Sequence, residues 1–210
     1  MNENIGISVT HIYKSFGKDT VLRDVSLTIK RGEIAGLVGN NGSGKTVLMK
    51  CICGFLGPER GEITVCGKRI GKDCDFPESL GLIIETPGFL PTMSGYRNLW
   101  TLAALRGRIG KTEIMDTLRR VGLYEARHKP VGRYSLGMRQ RLGIAQAIME
   151  NPDVLILDEP FNGLDAATVA EMRKLLIEMK EKGKTIILAS HNAEDIRTLC
   201  DFVHEMEVSV

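Results

Sequence analysis

The fold of this chain is decided by the stretch Gly39-Asn40-Asn41-Gly42-Ser43-Gly44-Lys45-Thr46, which follows the phosphate-loop pattern G-x-x-x-x-G-K-T. An apolar run of strand length, 33–38, precedes this stretch, and a segment typical of a helix, 47–53, follows it. Strand, glycine-rich loop and helix in this order form the context that gives the pattern a functional meaning. The alternative is a glycine-rich turn that binds nothing, and such a turn does not need this context. We therefore expect residues 39–46 to bind a nucleotide.

The chemistry expected of the loop follows from its residue types. Glycines adopt backbone conformations that are closed to other residues, so successive N–H groups can point at a polyphosphate, and the next helix adds its positive N-terminus. The ammonium group of Lys45 is expected to reach the β- and γ-phosphates, and the hydroxyl of Thr46 to bind Mg²⁺. The expected nucleotide contacts in this stretch are Gly39, Asn40, Asn41, Gly42, Ser43, Gly44, Lys45, Thr46 and Val47.

The composition narrows the class of protein. The 210 residues include 28 Lys and Arg against 26 Asp and Glu, a net charge of +2, so nothing calls for nucleic acid as a partner. No apolar run approaches the roughly 18 residues of a membrane span, and residues 1–4 do not resemble a signal peptide. The five cysteines are scattered, which is typical of small buried side chains in a reducing cytosol. We expect a cytoplasmic protein.

The order of the predicted elements indicates the fold class. Segments 5–9 and 25–29 alternate apolar and polar residues, as half-buried strands of an antiparallel sheet do. Further strands are predicted at 61–67, 80–84, 154–157 and 185–189, and the continuously apolar strand 80–84 is expected to be buried on both faces. Helices are predicted at 94–105, 111–121, 135–150, 165–182 and up to residue 200.

These elements predict an α/β protein with a P-loop NTPase (RecA-like) core and a mostly parallel sheet. An antiparallel β subdomain is expected at the N-terminus, and an α-helical subdomain is expected as an insertion. We expect one domain over 1–210, in which 1–91 and 151–210 form the catalytic core and 92–150 form the helical subdomain.

An aromatic turn lies between the first two predicted strands, at 13–19. Phe16 in this turn is a candidate for stacking on adenine, because stacking on an aromatic ring tolerates any base. The alternative is that Phe16 only packs beneath the hairpin.

Two carboxylates, Asp158 and Glu159, end the apolar run 154–157. Asp158 is expected to hold Mg²⁺ at the end of a buried strand, and Glu159, pointing the other way, could polarise the attacking water. A solvated turn is the alternative for this pair.

Ser135 is a natural helix N-cap, which would leave the N–H groups of residues 136–138 free to bind an anion.

The whole set resembles the nucleotide-binding domain of ABC transporters. The family's elements come in its usual order: the phosphate loop, the signature helix at Ser135, the strand ending in Asp158 and Glu159, the loop 162–165 and the switch His191. The resemblance implies a head-to-tail dimer that encloses two ATP molecules with Mg²⁺. It further implies that Ser135 and Gly137 contact the γ-phosphate in trans, that Asp165 bridges the two sites and that His191 senses the γ-phosphate in cis. Without the resemblance, His191 would be taken for a surface-loop histidine.

This chain departs from the family pattern in two places. Tyr134, Leu136 and Met138 replace the first, third and fifth residues of the usual signature Leu-Ser-Gly-Gly-Gln. Glu85 stands where the family usually has a glutamine that meets Mg²⁺ and the attacking water. A carboxylate binds Mg²⁺ more strongly than an amide, but it repels the γ-phosphate when the metal is absent. We expect ATP turnover to depend more strictly on Mg²⁺ than in a Glu85→Gln variant.

The segments 85–91 and 134–138 resemble ATPase subunits of exporters for peptide antibiotics, of the bacitracin-resistance and lantibiotic-immunity type. The resemblance implies an ATP-hydrolysing subunit on the inner face of the cell membrane that docks on a separate integral-membrane permease. Its second copy would be an identical or closely similar chain. We expect the docking surface near residues 86–100, with the anchors Phe89, Leu90, Met93 and Trp100, although Trp100 could instead belong to the core.

Three other functions use related loops. A small-molecule or nucleotide kinase would need a phosphate acceptor and would give Ser135 and Gly137 no role. A guanine-nucleotide switch would carry an Asn-Lys-x-Asp segment, which this sequence lacks. A chromosome-clamp or translation-linked ATPase of the same superfamily would carry long coiled coils or tandem domains.

Overall fold

The computed structural model describes residues 4–85 and 87–207. In chain order the strands are β1 (Ile5–Phe16), β2 (Asp19–Lys30), β3 (Ile34–Val38), β4 (Arg60–Val65), β5 (Lys68–Arg69), β6 (Leu80–Ile83), β7 (Val154–Asp158), β8 (Thr185–Ala189) and β9 (Phe202–Glu205). The α-helices are α1 (Lys45–Ile52), α2 (Gly95–Arg106), α3 (Lys111–Arg120), α4 (Leu136–Ile148), α5 (Ala166–Glu181) and α6 (Ala193–Leu199), and a short 3-10 helix, Val131–Arg133, precedes α4.

The N-terminal sheet is antiparallel, with the strand order β2-β1-β4-β5. Its inner face is formed by alternating apolar residues such as Ile7 and Val9, which are buried. The aromatic turn predicted at 13–19 is shorter in the structure. The pairs Ser15–Thr20 and Phe16–Asp19 extend both strands, so the turn is reduced to residues 17 and 18.

The second sheet has the order β6-β7-β8-β3-β9, and all its neighbouring strands are parallel. The predicted α/β architecture with a parallel sheet and an N-terminal antiparallel sheet is therefore confirmed. Alternate residues of each inner strand enter different apolar layers: Leu155 and Leu157 pack with α2 to α5, whereas Val154 and Ile156 pack with α1 and the antiparallel sheet. Because both faces are covered, these strands read as continuous apolar runs.

The two edge strands of this sheet differ from the sequence analysis. Strand β6 is only alternately buried, rather than buried on both faces, because it lies at the edge of the sheet. A Cβ atom on Gly81 of β6 would lie 1.9 Å from the carbonyl oxygen of Ala147, so the glycine lets α4 approach closely. At the other edge, the short strand β9 was not predicted; it pairs with β3.

Helices α2, α3 and α4 follow one another between β6 and β7. Ser94 caps α2 by accepting a hydrogen bond from the N–H of Arg97, and Gly107 ends the helix at a φ of +63°, both as predicted. Asp165 caps α5 in the same way, through the N–H of Thr168. In the described parts of the chain, no helix is both long and apolar enough to cross a membrane.

The cysteines are only partly as expected. Cys51 and Cys53 are buried in α1 and at its end, and burial raises the pKa of Cys51 to about 11 and that of Cys53 to about 12. These two thiols behave as small apolar side chains. Cys66, Cys74 and Cys200 are only partly buried, so the expectation of burial is met in part for them.

Candidate functional site

The candidate site lies where β3, β7 and β8 end, at the carboxyl edge of the parallel sheet. In an open parallel sheet, this edge is where ligands bind. A cavity of about 370 Å³ opens there between the phosphate loop and the N-terminal sheet. Its lining is Phe16, Val21, Asn41, Gly42, Ser43, Gly44, Lys45, Thr46, Val47, Asp158, Glu159 and His191. The structure therefore brings together predicted residues from four separate segments.

The loop has the geometry of an anion cradle. Gly42 and Gly44 have φ values of +83° and +91°, which side-chain-bearing residues rarely adopt. A Cβ atom on Gly44 would also lie 2.9 Å from Leu22 and 3.1 Å from the carbonyl oxygen of Val21. Helix α1 starts directly after this glycine and has neither a side-chain cap nor an acidic residue in its first turn. Its free N–H groups and positive end can therefore receive a phosphate.

The side chain of Lys45 folds back over the loop. Its Nζ atom donates hydrogen bonds to the carbonyl oxygens of Gly39, at 2.6 Å, and Asn40, at 3.0 Å. Gly39 and Asn40 therefore position the ammonium group, although they do not line the cavity themselves. The hydroxyl oxygen of Ser43 is buried and has no hydrogen-bond partner within the described residues. A cation and an unpaired polar atom in one concave loop fit a polyphosphate.

Two of the three predicted metal ligands meet. Thr46 Oγ1 donates to Asp158 Oδ2 over 2.8 Å, and both residues line the cavity. A hydroxyl and a carboxylate are oxygen ligands of the kind that Mg²⁺ prefers, so this pair fits the metal. The third predicted ligand, Glu85, does not line the cavity; its side chain is 66% exposed, and Oε1 lies 2.6 Å from Lys50 Nζ.

Glu159 faces His191 rather than the metal pair. Its Oε1 atom lies 3.6 Å from His191 Nε2, while the Asp158 carboxylate accepts the bond from Thr46. Burial raises the pKa of the Glu159 carboxyl, and the neighbouring His191 partly counters that rise. Oε1 is buried and has no hydrogen-bond partner within the described part of the chain. A carboxylate with a raised pKa, one of whose oxygens accepts no hydrogen bond, can accept a proton beside a phosphate loop.

The backbone of Glu159 is held in an unusual conformation. Its φ is +48°, a region that non-glycine residues seldom occupy. The N–H of Glu159 donates to the carbonyl oxygen of Ala189, and its own carbonyl oxygen accepts a hydrogen bond from Gln140. These two hydrogen bonds connect the turn after β7 to β8 and to α4. No such contact was predicted for Gln140, because its position four residues into α4 offered no signal for this role.

The N-terminus of α4 is partly capped. Ser135 Oγ accepts a hydrogen bond from the N–H of Met138 at 3.2 Å, so the expectation that this N–H group is free is wrong. A serine hydroxyl at the N-cap satisfies such a group itself. The remaining two N–H groups, those of Leu136 and Gly137, have no hydrogen-bond acceptor within the described residues.

Ser135, Gly137 and Asp165 do not line the cavity of their own chain. Gly137 instead packs on the loop before α5, where an added Cβ atom would lie 2.9 Å from the carbonyl oxygen of Gly163. Leu136 covers that same glycine and remains exposed. The signature helix and the Asp165 loop therefore form one shared surface, apart from the phosphate loop. That Ser135, Gly137 and Asp165 contact a nucleotide stays a prediction.

A buried ion pair next to His191 was missed by the sequence analysis. Arg173 of α5 donates to Asp195 Oδ1 from Nε at 2.9 Å and from Nη2 at 2.5 Å, and Asp195 is 2% exposed. Ser190 Oγ donates to Asp195 Oδ2 at 2.7 Å and accepts from the N–H of Asn192 at 3.1 Å. This network fastens the residues on either side of His191. In the sequence, Arg173 and Asp195 look like surface charges on two helices.

Phe16 lies at the mouth of the cavity with 48% of its surface exposed, which contradicts the alternative that it only packs beneath the hairpin. Val21 of β2 also lines the cavity and was not predicted. An exposed aromatic ring beside a phosphate loop can stack on a base.

Comparisons with known proteins agree with this geometry. Residues 22–162 match the family model described as ABC transporter. The chain is 44% identical to the uncharacterized ABC transporter ATP-binding protein YybJ of Bacillus subtilis (strain 168), over 95% of this chain and 92% of the relative. It is 41% identical to the bacitracin transport ATP-binding protein BcrA of Enterococcus faecalis, over 95% of this chain but only 66% of the relative.

A solved structure of the ATP-binding subunit of an ABC transporter superposes with a TM-score of 0.86. The two chains are 28% identical, and the match covers 97% of this chain and 88% of the other. The extent of these matches, together with the cavity at the phosphate loop, decides the family. The chain belongs to the ABC transporter family, whose ATP-binding cassettes hydrolyse ATP to power transport.

Proposed function

We propose that this chain binds MgATP between two copies and powers the export of a peptide antibiotic or a related compound through a separate permease. The observation that carries the proposal is the meeting of Lys45, the Thr46–Asp158 pair and the Glu159–His191 pair around one cavity. The likeness to a bacitracin transport protein supports the class of cargo.

Within this proposal the cavity residues have distinct roles. Lys45 and the loop N–H groups bind the β- and γ-phosphates, and Phe16 stacks on the adenine ring. Thr46 and Asp158 hold Mg²⁺, which supplies charge neutralisation at the phosphates. Glu159 accepts the proton of the attacking water, and His191 orients that carboxylate and senses the γ-phosphate. For Glu85, a role at the metal requires its carboxylate to leave Lys50.

The second copy completes the site. Ser135 and Gly137 lie on a surface separate from the phosphate loop of their own chain, and the N–H of Gly137 has no acceptor within the described residues. A head-to-tail partner would bring this surface over the γ-phosphate. Asp165 lies on the same surface, and the hydrogen bonds from Thr168 lower its pKa, so its carboxylate is charged at neutral pH.

The permease would dock on the helical subdomain, 92–150, of a domain whose remaining residues, 1–91 and 151–210, form the catalytic core. Leu90 and Trp100 expose 52% and 44% of their surface, so the alternative that Trp100 belongs to the core is wrong. Of the other predicted anchors, Phe89 packs against the core, and Met93 is partly buried. Thr86, at the start of the predicted docking segment, lies outside the described residues.

A cavity of about 540 Å³ extends the docking surface from Tyr96, whose ring stacks on Trp100 at a centroid distance of 6.1 Å. Three cationic side chains line it: Lys111, Arg119 and Arg127. An aromatic pair next to clustered cations suits a permease segment that carries an apolar anchor and a carboxylate. Such docking would place the chain at the inner face of the cell membrane.

The experiment that tests the transporter function is recovery of an integral-membrane protein with this chain from solubilised membranes. Trp100→Ser should weaken this association about thirtyfold, because a buried tryptophan anchor contributes about 2 kcal/mol or more to an interface. Leu105→Ser is the matched control, since Leu105 is also an exposed apolar residue of α2 but lies on another face. Equal association of both variants would contradict the docking surface, and the absence of any membrane partner would contradict the transporter function.

Nucleotide binding is tested separately through Lys45. Lys45→Ala is expected to weaken ATP binding by about ten- to hundredfold, because a hydrogen bond to a charged group contributes about 1.5–3 kcal/mol. Equilibrium binding of a fluorescent ATP analogue measures this loss. Lys18→Ala, at the exposed hairpin turn, is the control with unchanged affinity. Unchanged affinity in Lys45→Ala would remove this residue from the phosphate site.

A further inference from the structure

The carboxylate of Glu85, which was predicted to bind Mg²⁺, contacts a lysine instead. This lysine lies one helical turn from Thr46, which with Asp158 forms the candidate Mg²⁺ site. Glu85 Oε1 lies 2.6 Å from the Nζ atom of Lys50. Lys50 belongs to α1 and follows Thr46 by four residues, so both side chains lie on the same face of the helix, one turn apart. In the first turn of the helix, Thr46 donates a hydrogen bond to Asp158. In the next turn, Lys50 donates one to Glu85.

We infer that Lys50 is a positioning residue that keeps the Glu85 carboxylate outside the nucleotide cavity and so competes with Mg²⁺ for it. The inference rests on the metal site of the proposed function. A carboxylate oxygen in contact with an ammonium group must give up that contact before it can bind a metal ion. Lys50 therefore raises the Mg²⁺ concentration needed to complete the site.

The pair is open to such competition because it is accessible. Glu85 is 66% exposed and Lys50 is 31% exposed, so solvent weakens their attraction and the pair can separate. Glu85 also has a φ of +63°, which non-glycine residues adopt rarely. A glutamine at position 85 would be uncharged and would form no ion pair. Competition between Lys50 and Mg²⁺ therefore arises because this chain has a glutamate, and not a glutamine, at position 85.

The test measures the Mg²⁺ concentration at half-maximal binding of a fluorescent ATP analogue, in a Glu159→Gln chain that turns over slowly. Lys50→Met should lower this midpoint about two- to fivefold, as expected for the loss of an exposed ion pair. Lys50→Arg, which keeps the charge, should leave it near that of the parent. If Lys50→Met is poorly folded, Lys50→Gln serves the same purpose with a polar side chain.

A double-mutant cycle separates the proposed contact from a general charge effect. Removing any cation near the site favours Mg²⁺ slightly, so Lys50→Met is repeated together with Glu85→Gln. The inference expects a clearly smaller shift of the midpoint when Glu85→Gln is already present. Equal shifts in both backgrounds, or no shift with Glu85 present, would overturn it and leave the metal site standing. Binding that ignores Mg²⁺ in every variant would instead contradict the metal site, and the inference with it.

Discussion

Glu159→Gln is expected to lower ATP turnover by about two to four orders of magnitude, the usual contribution of a general base. The amide has nearly the same shape as the carboxylate but cannot accept the proton of the attacking water. The loop, Lys45 and the Thr46–Asp158 pair are untouched, so MgATP should still bind. Because hydrolysis would no longer separate the two copies, the variant should accumulate as an ATP-dependent dimer. Phosphate release and size-exclusion chromatography with MgATP measure the two effects.

Glu171→Gln is the matched control for this substitution, because it makes the same change at an exposed position of α5 and should keep full turnover. The wild type should also lose activity as the pH falls through the raised pKa of Glu159, since only the ionised carboxylate accepts a proton. Near-normal hydrolysis by Glu159→Gln would remove Glu159 from the role of base. A Glu159→Gln chain that stays monomeric with MgATP would contradict the dimer.

Arg173→Met is expected to reduce the free energy of unfolding by about 3–5 kcal/mol, the usual cost of leaving one partner of a buried ion pair alone. Asp195 would remain buried at 2% exposure, with only the Ser190 hydroxyl as a charge-stabilising partner among the contacts described above. The segment that holds His191 would lose its fastening to α5. Urea unfolding measures the change in stability.

The control for Arg173→Met is Arg120→Met. Arg120 also pairs with a carboxylate, Glu178 at 3.4 Å, but both side chains are well exposed. Such a pair contributes at most about 1 kcal/mol, so this variant should stay close to the wild type. If the two variants lose the same free energy of unfolding, the buried Arg173–Asp195 pair contributes no more to stability than an exposed ion pair does.

Much of the fold could be predicted because short-range signals agreed with one another. Ser94, Ser135 and Asp165 each start a helix as expected, since an N-cap acts on the N–H group three residues later and needs no tertiary contact. The runs 154–157 and 185–189 became inner strands, because a strand covered on both faces must be apolar throughout.

The errors arose where the outcome depended on distant neighbours. The apolar run at 80–84 does not show that β6 is an edge strand, and the four residues of β9 are too few for a periodic pattern. The local sequence of these two strands does not show whether a segment lies inside the sheet, at its edge or outside it. That position is decided by packing against the rest of the chain.

By itself, the sequence determined the phosphate loop, the order of the helices and of every strand except β5 and β9, and the candidate residues Lys45, Thr46, Asp158 and Glu159. Those features depend on residue types within one segment, where backbone conformation and periodicity act locally. Only the tertiary structure decided that Glu85 pairs with Lys50 and that Arg173 fastens the His191 segment through Asp195. Side chains from separate segments can meet in many ways, and the choice among them is made when the sheet and the helices pack together.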